Sequence, residues 1–477
     1  MSLLPTIKEE SNATWLKHMW QCRLQFELMM PAAIVFVAGG LKMGWSVYEL
    51  PAAQYDTDFN PNFLTILWFI GVIMGALAAS LFVGRVTKNI SHILSGSLLI
   101  VGGILFILMP TTYIAIAFSC IFEGTAFGLL QLQAFVTGAE VASKDIRGLV
   151  MSTERCFLWF GILLQLTFTY IWYAFEPTTG HTMHVDQMHG IAVACLGITA
   201  IIWTFKLRAE SPLLLLQQQR DATATVVLQR LQGTHSTNTE LMRMREDYFQ
   251  LLSMDADDSC WYIFRKYNMV PLIKVFILRC FVVLSMSQPF NQIFLSASWL
   301  GFDCDMNCLY TLTMAGLLGS LLGGLLIDRY GRRRLCVVTL LPATIFMFIA
   351  GGIMDYLTQA EVAIIPIDLE IVSILILLYQ FIICTGVSTT AAVYLSEAFT
   401  VTQKPKCIAA VLIGENLLQI LLTVISFKMT VSATALYFAM GVMCLQLGLY
   451  VFLCMPETKS LTLFECLQKF RGVSLSK

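Results

Sequence analysis

Gly319-Ser-Leu-Leu-Gly323-Gly324-Leu-Leu-Ile-Asp328-Arg329-Tyr-Gly331-Arg332-Arg333-Arg334 ends one apolar stretch of this chain and leads into the next. Its glycines allow two helices to approach backbone to backbone. Asp328 falls where the apolar run stops, and a tight, strongly cationic turn follows. A carboxylate at such a point can bind the N-terminus of a neighbouring helix, or the arginines themselves, and so latch one conformation. An ordinary basic loop between helices would not need so regular a spacing.

Working outward, the apolar stretches on either side each reach the roughly 20 residues that a helix needs to cross a bilayer. The 477-residue chain is 57% hydrophobic and only 13% charged, where soluble proteins carry about 25% charged residues. Its mean hydropathy is +0.73. So few charges cannot cover a soluble surface, and lipid must cover much of it. The net charge of −1 gives no bulk attraction to nucleic acid. Most of the 14 cysteines lie in apolar runs, as small buried residues do. Cys304 and Cys308 share a polar stretch, but a disulfide between them is not expected.

Six spans, about 24–46, 63–84, 92–110, 112–138, 149–173 and 189–207, precede a long polar stretch. Six more, about 270–298, 308–327, 335–354, 371–396, 408–427 and 431–454, follow it. The expected organisation is a tail over 1–23, a six-helix bundle over 24–207, a linker over 208–269, a second bundle over 270–454 and a tail over 455–477. Within the linker, 222–231 and 239–252 carry helix-forming sequence. The fold class is therefore an all-α membrane protein of twelve transmembrane helices in two pseudo-symmetric six-helix bundles.

Lys and Arg gather on alternate loops, at Arg85 and Lys88, Lys144 and Arg147, the linker, Arg329 and Arg332–Arg334, and Lys404 and Lys406. The other loops hold Glu49, Asp56, Asp58, Asp303, Asp305, Asp355, Glu361 and Asp368. By the positive-inside rule both termini and the linker are cytoplasmic. The first 23 residues have no signal-peptide core. The Asn12 and Asn89 glycosylation patterns fall on the cytoplasmic side and are expected to stay unused.

The stretch at 319–334 resembles the signature loop of the major facilitator superfamily, and other segments narrow the resemblance to its sugar-porter family. Ala209-Glu210-Ser211-Pro212, Pro456-Glu457-Thr458-Lys459, Glu140 with Arg147-Gly148, and Glu397 with Lys404 are similar to that family's recurring motifs across nearly the whole chain. The resemblance implies two charge clusters that close the cytoplasmic side, with Asp328 as the signature carboxylate. One would hold Arg85, Glu140, Arg147 and Glu210, and the other Arg329, Arg333, Glu397, Lys404 and Glu457. The first-half copy of the signature is degraded, with Gly84 where Asp is expected and Thr87 where Gly is expected, which implies a weaker latch there.

The pocket matches the family less well. Arg155, after Glu154, stands where a sugar-binding Gln is expected. Asn291 is kept in the seventh span, while the family's paired glutamines are replaced, with Gln288 and Gln292 nearby. Ala392 takes a Trp position, and Glu415-Asn416 replaces Asn-Trp. The expected solute-binding set is Arg155, Gln288, Asn291, Gln292, Glu415 and Asn416. A mid-helix charge usually faces a cavity or a partner. Arg155 and Glu415 therefore read as a site for a polar, larger or charged solute, as a salt bridge pinning two helices, or as positions nearer the membrane edge.

Ser46 and Cys120 replace the carboxylate and arginine that the resemblance associates with proton symport, which favours facilitated diffusion. Glu27 and Glu123 remain as titratable alternatives, and Glu27 reads as an edge residue. His181, His184 and His189 make only a weak metal pattern. No catalytic constellation, cofactor motif or phosphate-cradling loop is present in the sequence. The expectation is a plasma-membrane carrier, not an enzyme, moving a sugar-like small solute through the lipid bilayer without nucleic acid, metal or cofactor. Its rivals are a carrier of another polar or anionic solute and a non-transporting sugar sensor.

Overall fold

The computed structural model describes residues 23–48, 63–83, 87–179, 184–206, 210–232, 238–253, 264–285, 307–359, 366–426 and 432–472. Among them are 12 helices long and apolar enough to cross a membrane. The first six are α1 (Arg23–Tyr48), α2 (Phe63–Phe82), α3 (Lys88–Leu108), α4 (Tyr113–Val141), α5 (Arg147–Thr179) and α6 (Val185–Lys206). Three shorter helices follow, α7 (Pro212–Gln217), α8 (Asp221–Gln232) and α9 (Asn238–Ser253). Then come α10 (Lys266–Ser285), α11 (Asn307–Tyr330), α12 (Arg332–Gln359) and α13 (Pro366–Ile383). The helix of α13 passes through a π turn at Cys384–Ser388 into α14 (Thr389–Glu397). The last helices are α15 (Lys404–Ser426), α16 (Ala433–Cys454) and α17 (Leu463–Arg471).

The expected spans hold, with their ends moved by a few residues. The span expected at 149–173 extends to Thr179, and the one expected at 270–298 is described only as far as Ser285. The helices keep large apolar side chains on their outer faces, such as Leu81, Leu108, Leu341 and Leu453. A helix satisfies its own backbone hydrogen bonds, so such faces can lie in hydrocarbon.

Pairing repeats between the halves. In the first, α2 packs on α4, α3 on α6 and α1 on α5. In the second, α11 packs on α13, α12 on α16 and α10 on α15. The halves meet where α5 packs on α11 and α2 on α15. This is the pseudo-symmetric arrangement the six-plus-six hydropathy implied. Close crossings depend on small residues. A Cβ at Gly128 of α4 would stand 2.1 Å from the Val72 carbonyl oxygen of α2.

A second apolar core lies at one end of the bundle. Leu213, Leu216, Leu228 and Leu251 of α7, α8 and α9 pack with Leu467 of α17 and with Leu28 and Val141. The linker helices expected at 222–231 and 239–252 are α8 and α9. Helix α17, within the stretch read only as a tail, begins with a capping box between Thr462 and Glu465 and ends at Gly472 with φ 77°.

Candidate functional site

A cavity of about 170 Å³ opens between the halves, lined by residues of α1, α2, α4, α5, α10, α11 and α15. Trp68, Phe69, Phe127 and Trp159 supply aromatic surface. Ser46, Thr65, Gln131, Thr313, Asn416 and Gln419 supply neutral polar groups. Thr65 Oγ1, Trp68 Nε1, Gln131 Oε1, Arg155 Nε and Thr423 Oγ1 are buried here without a hydrogen-bond partner in the protein. Mostly apolar walls with a few converging polar atoms are the usual form of a small-molecule site.

The site's charges largely cancel. Arg279 of α10 is fully buried and binds Glu415 of α15 through two bonds, Nε to Oε2 at 2.7 Å and Nη2 to Oε1 at 2.8 Å. Its Nη1 stands 3.7 Å from Glu154 Oε2 of α5, and Arg155 Nε lies 3.8 Å from the same oxygen. The other oxygen of Glu154 accepts from Gln131 Nε2 at 2.7 Å. Two arginines therefore face two carboxylates. Buried ions persist when paired and hydrogen-bonded in this way.

Arg155, Glu415 and Asn416 thus line one cavity, as the sequence reading expected them to share a site. Gln288, Asn291 and Gln292 lie outside the described residues. A direct Arg155–Glu415 salt bridge is not what the structure shows. Glu415 is taken by Arg279, a residue the sequence reading passed over, although a lone arginine inside Val270–Leu284 was a signal. Ala392 is fully buried beside the π turn, and a π turn inside a long helix often marks a functional position.

A second charged site lies at the end that carries α7–α9 and α17. Asp328 accepts from the backbone N–H groups of Gly148 at 3.0 Å and Leu149 at 2.9 Å, at the start of α5. It also pairs with Arg332 at 3.1 Å. Arg147 and Arg332 both reach Glu397 Oε1, at 3.2 and 3.3 Å. Glu457 accepts from the N–H groups of Arg332 and Arg333, capping α12 with negative charge. Between α11 and α12, Gly331 has φ 98°, and a Cβ there would stand 2.6 Å from the Glu457 carboxylate, so the turn requires glycine.

These contacts correct the expected pair of separate clusters. Arg147 of the first half bonds Glu397 of the second, and Asp328 of the second half caps a helix of the first, so one network spans the interface. Glu140 accepts from the Ser211 hydroxyl at 2.5 Å and feels the buried Lys404 across the interface. Glu210 lines a neighbouring cavity with Lys88 and Lys406. Arg333 donates from its guanidinium to the Phe452 carbonyl, and the Arg329 carbonyl accepts from Lys459 Nζ at 2.6 Å. Arg85 lies outside the described residues. Arg332, central to the network, was visible in the quoted stretch as the residue four after Asp328.

Further predictions were only partly met. Ten cysteines whose side chains are described carry thiols, while Cys304 and the side chain of Cys308 lie outside the described set. Of the three histidines in the weak metal pattern, His189 is fully buried within α6, His184 is exposed, and His181 lies outside the described residues. Glu27, at the start of α1, is half-buried, and its carbonyl accepts from Trp203 Nε1.

The family described as "Sugar (and other) transporter" matches residues 36–470. The chain is 23% identical over 434 residues to the rat solute carrier family 2, facilitated glucose transporter member 5, covering 85% of this chain and 82% of the relative. It is 27% identical over 277 residues to the mouse member 12 of that family, spanning 56% of this chain and 42% of the relative's length. Among solved structures, the proton:xylose symporter XylE bound to 6-bromo-6-deoxy-D-glucose matches with TM-score 0.75 and 17% identity, covering 94% of this chain and 100% of XylE. An inward-open XylE from E. coli matches with TM-score 0.57 and 18% identity, covering 94% and 98%.

Proposed function

We propose, from the premise that this chain belongs to the sugar (and other) transporter family of the major facilitator superfamily, that it carries a neutral, sugar-like solute by facilitated diffusion. The proposed route is alternating access to the cavity between the halves. The observation that carries this reading is the cavity itself. It combines aromatic faces with unpaired hydroxyl, amide and indole groups, and its Arg155, with Arg279 buried behind it, is balanced by Glu154 and Glu415. A polyhydroxylated solute offers apolar faces to the rings and hydroxyls to the unpaired groups. A strongly anionic solute would have to displace Glu154 from the guanidinium groups. Gln288, Asn291 and Gln292, with Arg155, Glu415 and Asn416, are the proposed solute-binding residues.

The proposed gate is the network of Arg147, Asp328, Arg332 and Glu397, supported by Glu140, Glu210, Lys404, Arg329, Arg333, Glu457 and Arg85. The linker end, proposed to be cytoplasmic on charge grounds in a plasma-membrane protein, is the end this network holds shut. The weaker likeness to the inward-open form supports the same assignment.

Counterflow uptake into proteoliposomes tests the reading, with glucose, fructose, trehalose, a polyol and an organic anion. Saturable uptake of a neutral sugar or polyol is expected, independent of any proton gradient and weakened by Arg155→Ala. Uptake of the anion alone would replace the neutral solute with an anionic one. Binding without flux from folded protein would overturn transport in favour of a sensor.

A further inference from the structure

Behind the α1 wall of the cavity lies another polar cluster, confined to the first six helices. Lys42 of α1, Glu123 of α4, Gln165 of α5 and His189 of α6 are each no more than 3% exposed. None of them lines the cavity. His189 Nδ1 lies 2.9 Å from Gln165 Oε1, and its Nε2 lies 3.6 Å from Glu123 Oε2. Glu123 Oε1 accepts from the Ser119 hydroxyl at 3.1 Å. The Lys42 ammonium sits 3.6 Å over the Trp45 ring, and Trp45 Nε1 donates to Asp186 Oδ1 at 2.7 Å.

Two features demand a proton here. First, Gln165 presents its amide oxygen, an acceptor, so Nδ1 must carry hydrogen. A neutral ring would then aim the Nε2 lone pair at a carboxylate oxygen. Both Nε2 and Glu123 Oε2 are buried without a hydrogen bond. An imidazolium donates on both sides and satisfies both neighbours. Second, the charges count the same way. The Lys42 ammonium carries one positive charge, and the Glu123 and Asp186 carboxylates, when ionised, carry two negative ones. A neutral His189 leaves the cluster at minus one, and a protonated ring brings it to zero. An uncompensated buried charge is strongly unfavourable.

We propose that His189 binds one exchangeable proton, shared with Glu123, and that this proton holds α4, α5 and α6 packed behind the α1 wall in the geometry in which the neighbouring cavity binds solute. Its transport consequence rests on the facilitator reading, whereas its effect on folding stability does not. The link to the cavity is short. Gly44 of α1 rests on Gln165, where a Cβ would stand 2.9 Å from the glutamine Cβ. Met43, Ser46 and Val47 beside it line the cavity, as does Ile162, one turn before Gln165.

Access to the site is one-sided. Asp186 lies three residues before His189 on the same face of α6, partly exposed and next to the exposed His184. Phe106 and Trp45 pack the ring elsewhere, at centroid distances of 4.9 and 5.9 Å. The proton enters and leaves by that end and regulates the carrier without being its cargo. The other titratable groups facing the site are Lys42 from α1, Cys120 and Glu123 from α4 with Tyr113 near Cys120, and Asp186 and His184 from α6. The groups facing it from α3 and α5, Phe106 and Gln165, do not ionise.

A proton held more tightly in the folded state stabilises it at low pH, and that stability is lost as pH rises through the site's titration. Thermal unfolding of the full chain in detergent, from about pH 5.5 to about pH 8.5, reads this directly. The wild type is expected to lose about 3 °C or more of Tm relative to His189→Gln across that range. Glu123→Gln removes one negative charge and is expected to move the step to lower pH. It carries the test if His189→Gln does not fold. In counterflow with equal pH on both sides, wild-type apparent affinity should weaken roughly threefold or more over the same range, with no such step in His189→Gln. Parallel Tm profiles for wild type and both variants would overturn the proton site. Solute-driven proton movement, seen with an entrapped pH dye, would overturn the regulatory role and uniport together. A pH-shifted Tm without flux of any solute would uphold the proton site and sink only the transport reading.

Discussion

Two buried charge networks join the halves of this protein, and they are built differently. At mid-height the short bonds stay within one half, where Arg279 grips Glu415 at 2.7 and 2.8 Å. The contact across to Glu154 of the first half is longer, at 3.7 Å. At the linker end the short bonds themselves cross. Asp328 holds the N–H groups of Gly148 and Leu149 at 3.0 and 2.9 Å, and Arg147 reaches Glu397 at 3.2 Å. On the proposed alternating-access reading, whatever crosses between the halves must break. On the same reading the cavity's strong pair stays out of the motion, and the crossing bonds at the linker end are the ones that hold one conformation. Charge alone does not distinguish a structural pair from a gate, but the half to which each partner belongs does.

The largest expected effect tests the structural side of this contrast. Arg279→Ala leaves the buried Glu415 without its bonded cation and Glu154 with only the longer Arg155 contact, and should destabilise the protein by about 3–5 kcal/mol. Thermal unfolding in detergent reads this, and Arg279→Met combined with Glu415→Leu should recover much of the loss. A single variant that melts with the wild type would remove the contrast. Asp328→Asn tests the gating side. It loses the charge that binds the α5 N-terminus and Arg332, and should shift the equilibrium toward the open linker end by about 1–2 kcal/mol, roughly 5- to 30-fold. Maleimide labelling of Ser152→Cys, a buried position against Gly324, should speed up accordingly.

Glu457→Gln sharpens the comparison, because its carboxylate caps α12 within the second half only. A loss of about 0.3–1 kcal/mol in stability is expected with only a small rise in labelling rate, because Glu457 supports the gate without crossing between the halves. A rate as fast as that of Asp328→Asn would place Glu457 at the centre of the gate. The smallest stability effect belongs to Arg155→Ala, about 0–1 kcal/mol, because its contact with Glu154 is long and it faces the cavity. Its effect should appear in solute affinity, and a large drop in Tm would move Arg155 to the structural side.

Much of this was legible in the sequence. The twelve spans followed from hydropathy, because lipid imposes a length and an apolar composition that soluble helices do not show. Gly331 and Asp328 were legible because a left-handed turn and a helix cap each demand a particular residue type. Lys42 and Arg279 were passed over for lack of a motif, although each is a cation deep inside an apolar run. Arg155 and Glu415 were singled out, but not Arg279, which joins Glu415 and Glu154 from a helix distant in the chain from both.

The sequence by itself determined the family, the helical membrane class, the six-plus-six layout and the presence of charges where lipid tolerates few. These are properties of local composition and short motifs, and they survive without contacts. Only the tertiary structure decided which charge meets which. It fused two expected clusters into one cross-half network, gave Glu415 to Arg279, and buried His189 between an amide oxygen and a carboxylate. Pairing depends on which faces of distant helices come within about 4 Å, and inside a bilayer that proximity determines whether a buried charge is tolerable.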